Sequence, residues 1–213
     1  MFGGGMELKM NEPIYFTTYN RTSKENGLAM KEIKKKGIKK IVEGPYTFGN
    51  FMYSKGGKGK KPVFVYARGN FEEGNNLFAS YDNFKTQKQL SDINPQQRDY
   101  NWGTVELVNW QTADDIFCEG LLFKPEDFDP NKKYPVMVYF YEKNAHTLYN
   151  SRNPSPSRST VNIPYFVSNG YVVFVPDVYF TDGHPGKSAM RSIMPGVEML
   201  EKTYPWIDSD NMA

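Results

Sequence analysis

The chain has 213 residues, 39% of them hydrophobic and 15% aromatic, which is enough for one large domain or two modest ones. Its formal net charge of +2 excludes a global field that would attract nucleic acid. No apolar run approaches the roughly 18 residues of a membrane span, and the N-terminal residues lack the pattern of a signal peptide. The single cysteine, Cys118, excludes an internal disulfide and is predicted to be a buried small side chain.

Two similar stretches organise the first half of the chain. Residues 13–20, PIYFTTYN, resemble residues 62–69, PVFVYARG, and the same offset aligns the apolar residues and polar turns that follow. Each unit is predicted to contain three strands separated by turns, and residues 46–55 predict one further strand. A period near 50 with about four strands is typical of β-propeller blades. A small antiparallel sandwich built from a duplicated hairpin is the alternative.

A lysine-rich run at residues 31–41, KEIKKKGIKKI, lies inside the first unit. Its lysines have no interleaved aromatic side chains, and Gly37 interrupts the run at a turn. These features predict the solvated face of a hairpin, and no nucleic-acid partner is expected.

The pattern changes near residue 100. Residues 105–110 and 116–125 flank a polar turn, which predicts a hairpin. Residues 136–141, VMVYFY, and 171–177, YVVFVPD, are nearly continuous apolar runs, as expected of strands covered on both faces. Strands that alternate with helices indicate an α/β domain with a largely parallel sheet.

Two helical regions accompany these strands. Residues 164–170 predict a short helix closed by Gly170 at its C-terminus. Residues 187–204 predict two helical pieces, with Pro195 in the first turn of the second piece and Ser192 as a candidate cap.

Tyr141 is the strongest candidate for a chemical role. It ends a predicted buried strand where a loop begins, which is where α/β enzymes place reactive and polarising groups. A phenol at this point can donate a hydrogen bond to a developing oxyanion. The alternative is an aromatic side chain that packs at the end of a strand.

Other motifs lack essential residues. Residues 181–188, TDGHPGKS, approach a phosphate-binding loop, but Thr181 stands in place of the first glycine. Residues 186–190 approach a nucleophile elbow around Ser188, but Met190 stands in place of the second glycine. The two histidines, His146 and His184, lie in predicted loops with no metal-ligand spacing around them, so no metal or cofactor is expected.

Four stretches together resemble the prolyl oligopeptidase family of serine peptidases, in the branch similar to dipeptidyl peptidase IV. They are NPQQRDYNWGTVELVNW (94–110), GLLFKPEDFDPNKKYPVMVYFYE (120–142), SNGYVVFVPD (168–177) and GHPG (183–186). This family joins a β-propeller to an α/β-hydrolase domain. The resemblance implies that residues 1–93 are C-terminal propeller blades. It implies that residues 94–213 are the N-terminal part of the hydrolase (peptidase) domain with its entry segment.

The resemblance also implies a role for Tyr141, which matches the family tyrosine that helps to form the oxyanion hole. Residues 142–146, EKNAH, replace the glycine-rich continuation that is usual there. In the family the nucleophilic serine follows a strand that Met212 and Ala213 would begin here, after an acidic turn at 206–211. The serine, aspartate and histidine of the triad are therefore expected beyond residue 213, and this chain is expected to be an inactive fragment.

The complete enzyme is expected to hydrolyse short peptides through an acyl-enzyme, with the propeller restricting access to the site. A homo-oligomer is possible, the compartment is unknown, and a periplasmic or secreted location is possible for the complete protein. Two alternatives stay open. One is a short, non-catalytic binding module built from the blades, and the other is an esterase or acylaminoacyl hydrolase of the same fold.

Overall fold

The structure is a computed structural model that describes residues 10–54 and 62–213. Its elements fall into two compact units, one formed by the described residues of 10–68 and 76–92, and the other by 69–75 and 93–213. The first unit contains seven strands in the described residues: β1 (Pro13–Tyr19), β2 (Asn26–Glu32), β3 (Lys39–Gly44), β4 (Thr47–Ser54), β5 (Val63–Gly69), β6 (Asn76–Ser80) and β7 (Lys88–Gln89).

These strands form two sheets, which confirms the predicted strands of the first half. One sheet has the order β1-β2-β3 and is antiparallel, while the other has the order β4-β5-β6-β7. β1 and β2 recur as β5 and β6 at nearly the offset that the sequence repeat predicts. The lysine-rich run falls on the turn and strand edges between β2 and β3, where its lysines are partly or fully exposed.

The core of the first unit is mainly aromatic. Phe64 and Tyr66 on β5 are almost completely buried, and their rings lie 5.0 Å and 4.8 Å from that of Phe84. Aromatic and β-branched residues fit the pleated surface of a sheet, and rings at these separations gain energy beyond area burial. The whole cluster of buried residues comprises Leu28, Phe48, Phe64, Tyr66, Phe78 and Phe84.

The second unit contains five strands and two α-helices in the described residues: β8 (Thr104–Gln111), β9 (Phe117–Lys124), β10 (Tyr134–Val138), α1 (Ile163–Ser168), β11 (Val172–Pro176), α2 (Pro185–Thr203) and β12 (Ile207–Met212). They form one mixed sheet of order β12-β10-β11-β9-β8. β8 and β9 are an antiparallel hairpin, as predicted, and β9 is antiparallel to β11. β11, β10 and β12 are parallel.

Helices lie on both faces of this sheet. Leu200 of α2 belongs to the core cluster on one face, and Ile163 and Val167 of α1 belong to the cluster on the other. All five residues of β11 are buried, which confirms the prediction of a doubly covered strand. At the end of α1, Gly170 has a φ of +82° and the amide of Tyr171 bonds the carbonyl of Phe166, so the predicted C-terminal glycine is confirmed.

Three boundaries differ from the sequence predictions. α2 is one continuous helix with Pro195 inside it, and Ser192 is not a cap. Packing of the apolar face of α2 on the sheet outweighs the lost backbone hydrogen bond of the proline. β10 ends at Val138, three residues before Tyr141. β12 already begins at Ile207, and a register shift against β10 accommodates the acidic residues expected in a turn.

The fold class is therefore confirmed at the level of a mixed fold, in which β-sheets precede a sheet with helices. Residues 69–75, which the predicted domain boundary assigned to the first segment, group with the second unit. Phe71 explains this grouping, because its ring packs 5.0 Å from that of Phe123 and its carbonyl accepts a hydrogen bond from the Trp102 indole at 2.6 Å.

Candidate functional site

The candidate site lies at the carboxyl edge of the parallel strands in the second unit. Because β12, β10 and β11 are parallel neighbours, their chains leave the sheet at the same edge, after Met212, Val138 and Pro176. In open α/β sheets this edge is where ligands bind and where reactive side chains are placed. Tyr141 and Asp177 both follow strands that end there.

The loop that follows β10 is anchored both to β11 and to the segment that follows β11. The amide of Tyr139 donates to the carbonyl of Phe174 at 2.9 Å, and the amide of Val178 donates to the carbonyl of Glu142 at 3.1 Å. These two hydrogen bonds lie on either side of Tyr141. The backbone that carries Tyr141 is therefore held although it is outside the strand.

The side chain of Tyr141 is 74% exposed, unlike most aromatic residues of this unit. Within the described residues, the ring of Tyr141 is therefore largely free of packing contacts. An exposed hydroxyl on a fixed backbone can reach a bound molecule. The structure thus places Tyr141 at the expected edge, but on a loop instead of in the strand.

Asp177 is a buried carboxylate at this edge, with 3% of its surface exposed. Its Oδ1 accepts hydrogen bonds from the amides of Asn144 and, at 2.8 Å, Ala145. Burial raises the pKa of the Asp177 carboxyl above its usual range, the nearby Glu119 adds to this, and the two amides and His146 oppose it. The carboxylate is thus used inside the protein, as a link between two loops.

The segment after β11 is in turn bound to α2. The amide of Tyr179 donates to the buried hydroxyl of Ser192 at 3.2 Å, and the Arg191 guanidinium donates to the Tyr179 carbonyl at 3.0 Å. Burial, together with the negative charges of Asp177 and Glu119, raises the pKa of Tyr179 to about 12. The Lys143 ammonium lies 4.0 Å from the centre of the Tyr179 ring. This segment therefore connects the Tyr141 loop to the helix.

The remaining candidates from the sequence are engaged elsewhere. Ser188 is 2% exposed, and its hydroxyl donates to the carbonyl of His184 at 2.8 Å and accepts from the amide of Thr181 at 2.9 Å. His184 precedes α2, and His146 lies in a short 3-10 turn, Ala145–Thr147. Cys118 is fully buried, which confirms the prediction for it, and burial raises the pKa of its thiol.

Sequence reasoning missed Asp177, Ser192 and Tyr179 as parts of this edge. The position of Asp177 could have indicated a structural role. A carboxylate directly after a fully apolar strand is costly to bury, so it needs hydrogen-bond partners. The sequence predicts that Ser192 is a helix cap, but its hydroxyl accepts a hydrogen bond from the amide of a residue 13 positions earlier in the chain.

No family model matches the chain. Mouse and human dipeptidyl peptidase 8 are each 27% identical to it over 119 residues, which is 51% of this chain and 13% of theirs. The AtxE2 isopeptidase structure has a TM-score of 0.68 at 12% identity, over 95% of this chain and 32% of its own. Acylaminoacyl peptidase from Pyrococcus horikoshii has a TM-score of 0.61 at 15% identity, over 94% of this chain and 31% of its own.

The fold is therefore that of a segment of larger peptidases. The predicted resemblance to the prolyl oligopeptidase family, in its dipeptidyl peptidase IV-like branch, is confirmed by these matches together with those to dipeptidyl peptidase 4 from Porphyromonas gingivalis and to a prolyl endopeptidase. The chain spans about a third or less of the length of each of these proteins. Within the residues that the structure describes, no helix is both long and apolar enough to cross a membrane.

Proposed function

We propose that this chain forms part of a serine-type peptidase of the prolyl oligopeptidase family, which hydrolyses short peptides through an acyl-enzyme. The two β-sheets of the first unit are propeller blades that restrict access to the site, and the mixed sheet begins the α/β-hydrolase domain. The sequence repeat and the recurrence of β1 and β2 as β5 and β6 support the first assignment. The helices on both faces of the mixed sheet support the second.

The observation that carries the proposal is the exposed Tyr141 on an anchored loop. β10 is the third strand of its sheet in chain order, and α1 is the next α-helix. In α/β-hydrolases the loop between the third strand and the first helix supplies a donor to the oxyanion hole. The Tyr141 hydroxyl donates a hydrogen bond to the oxyanion that develops when the scissile carbonyl is attacked.

The test is the substitution Tyr141→Phe in the full-length protein. Removing one oxyanion donor is expected to lower kcat by about 100- to 1,000-fold with a much smaller change in KM. The matched control is Tyr165→Phe, which removes an exposed phenol from α1 and is expected to leave kcat unchanged. If Tyr141→Phe retained the wild-type kcat on every hydrolysed substrate, the proposed role of Tyr141 would be wrong.

The 213-residue chain by itself is proposed to be inactive. Ser188 lies in the elbow-like motif, but its hydroxyl donates a hydrogen bond to the backbone carbonyl of His184 and not to an imidazole that could activate it. Purified chain is expected to show no turnover of fluorogenic peptides. Turnover that a serine-directed inhibitor abolishes would contradict this expectation.

N-acylated peptides are the second candidate class of substrate. This candidate rests on the fold shared with an acylaminoacyl peptidase. Full-length protein assayed on matched peptides with a free or an acetylated N-terminus would separate the two classes, since only one series should be hydrolysed efficiently.

A further inference from the structure

The buried carboxylate of Asp177 has a specific arrangement of partners. Its Oδ1 accepts hydrogen bonds from the backbone amides of Asn144 and Ala145, which lie in a loop 32 to 33 residues earlier in the chain. A carboxylate with 3% exposure is costly to bury, and two charge-assisted hydrogen bonds offset part of this cost. An apolar side chain at the same place could fill the space but could not bind these amides.

The same loop carries Tyr141, and it is fixed at both of its ends. At its start, the Tyr139 amide is bound to the carbonyl of Phe174. Past Tyr141, the carbonyl of Glu142 accepts from the amide of Val178, and then the two amides bind Asp177. Among these hydrogen bonds, those to Asp177 use a side chain as the acceptor, so a substitution at residue 177 can remove them.

Asp177 itself is poorly placed to transfer protons to a substrate. Its carboxyl is buried, and the oxygen described above is already occupied by two amides. The group that reaches solvent is Tyr141, with 74% of its surface exposed. The contacts therefore favour a role for Asp177 that acts through the position of Tyr141.

We propose that Asp177 is a positioning residue, whose carboxylate fixes the loop after β10 and so holds the Tyr141 hydroxyl where the oxyanion develops. This inference rests on the proposed function, because it assigns a purpose to Tyr141. It adds that the geometry of the oxyanion donor is set from the neighbouring strand, by the residue that directly follows β11.

The test is a double-mutant cycle in the full-length protein with Asp177→Ala and Tyr141→Phe. Asp177→Ala is expected to lower kcat by about 10- to 100-fold, because a displacement of roughly 1 Å is enough for such a loss, with a small change in KM. In the Tyr141→Phe background the same substitution is expected to have almost no further effect on kcat. Equal effects of Asp177→Ala in both backgrounds would overturn the proposal.

Asp177→Asn keeps the shape of the side chain and one acceptor oxygen, and it serves if Asp177→Ala does not fold. The uncharged side-chain oxygen accepts hydrogen bonds from the backbone N–H groups of Asn144 and Ala145 about half as strongly as a carboxylate does. A loss of about 2- to 10-fold in kcat is therefore expected, again only when Tyr141 is present. Thr112→Ala is the matched control, because Thr112 is also buried but bonds Asp114 and Ile116 instead of the loop. Its effect on kcat should not depend on residue 141.

Hydrogen exchange separates this inference from the proposed function. In Asp177→Ala the amides of Asn144 and Ala145 are expected to exchange at least 10-fold faster than in the wild type. Unchanged exchange at both amides would overturn the positioning role whatever the activity. Faster exchange in a protein that hydrolyses no peptide would support the anchor and overturn the proposed function instead.

Discussion

Two buried serine hydroxyls, one in each unit, are used differently. Ser80 in the first unit is completely buried, and its partners are Asp82 and Phe84, two and four residues away. Ser192 in the second unit is equally buried, but it accepts from the amide of Tyr179, 13 residues away. The first arrangement closes a turn, while the second binds a loop to a helix.

The same contrast extends to other polar groups of the second unit. The Trp110 indole donates to the carbonyl of Ser192, 82 residues further along the chain, and Asp177 binds amides more than 30 residues away. Contacts between residues this far apart in the sequence fix separate elements relative to one another. A site whose parts come from several strands and loops needs such contacts.

The largest expected effect is that of Trp110→Ala. Trp110 is 6% exposed, its ring meets that of Phe174 edge to face at 5.5 Å, and its indole nitrogen binds the Ser192 carbonyl at 2.9 Å. Removing this side chain is expected to lower the free energy of unfolding by about 3–5 kcal/mol, as measured by urea denaturation of the purified chain.

The control is Trp110→Phe, which keeps most of the ring packing and loses the hydrogen bond. It is expected to cost about 1–3 kcal/mol, since the Ser192 carbonyl then stays buried without this donor. A loss below 1 kcal/mol for Trp110→Ala would mean that α2 does not depend on this long-range contact, and the contrast between the units would weaken.

Gly196→Ala tests the same contact from the helix. A Cβ at Gly196 would lie 2.8 Å from Cε2 and 2.9 Å from Cζ2 of Trp110. Overpacking typically costs about 1–3 kcal/mol, which outweighs the gain of about 1 kcal/mol in helix propensity, so a net loss of stability is expected. Gly186→Ala in the first turn of α2 meets no atom within 4 Å and should be neutral or stabilising. Equal denaturation midpoints for the two variants would contradict the close packing at Gly196.

Much of the fold could be predicted because its signals are local. Alternating apolar residues identified the strands of the first unit, and a glycine with positive φ identified the end of α1. Pro195 gave a misleading local signal, since its propensity to end a helix is outweighed by the packing of α2 on the sheet. The register shift that extends β12 over acidic residues also has no local cause.

The site was predictable only in part for the same reason. Tyr141 could be placed at the carboxyl edge, because an apolar run followed by a polar segment marks where a strand ends. Asp177 and Ser192 could not be assigned, because their partners lie far away in the sequence and only the folded chain brings them together. The role of Tyr141 in the oxyanion hole stays a prediction.

Ser80→Ala and Ser192→Ala compare the two uses of a buried hydroxyl directly. Each removes the acceptor of a backbone amide, Phe84 at 2.8 Å or Tyr179 at 3.2 Å, so each is expected to cost about 1–2 kcal/mol. Hydrogen exchange followed by mass spectrometry should show faster exchange only near residues 80–86 for Ser80→Ala. For Ser192→Ala it should increase around Tyr179, away from the substitution in sequence. The opposite pattern would refute the contrast.

The smallest expected effect is an alkaline loss of stability from Tyr66 in the first unit. Tyr66 is fully buried, its hydroxyl donates to Gln87 Oε1 at 2.6 Å, and burial raises its pKa to about 12, partly opposed by the positive charge of Arg68. The folded chain therefore keeps this proton while the unfolded chain loses it near the ordinary value of 10.0. Stability from this group is complete below pH 10 and falls as the pH rises towards 12, by about 1 kcal/mol at pH 11.

Tyr66→Phe isolates this contribution, because it keeps the ring and removes the proton. The difference in unfolding free energy between the wild type and Tyr66→Phe should be constant up to about pH 9 and then shrink as the pH rises to 11.

Tyr179 in the second unit has a similarly raised pKa, but the carboxylates of Asp177 and Glu119 contribute to it. Added salt screens charges and not burial, so it should lower the pKa of Tyr179 more than that of Tyr66. If the pKa values of Tyr179 and Tyr66 depended equally on salt, burial alone would account for both shifts. The carboxylates of Asp177 and Glu119 would then not distinguish the second unit from the first.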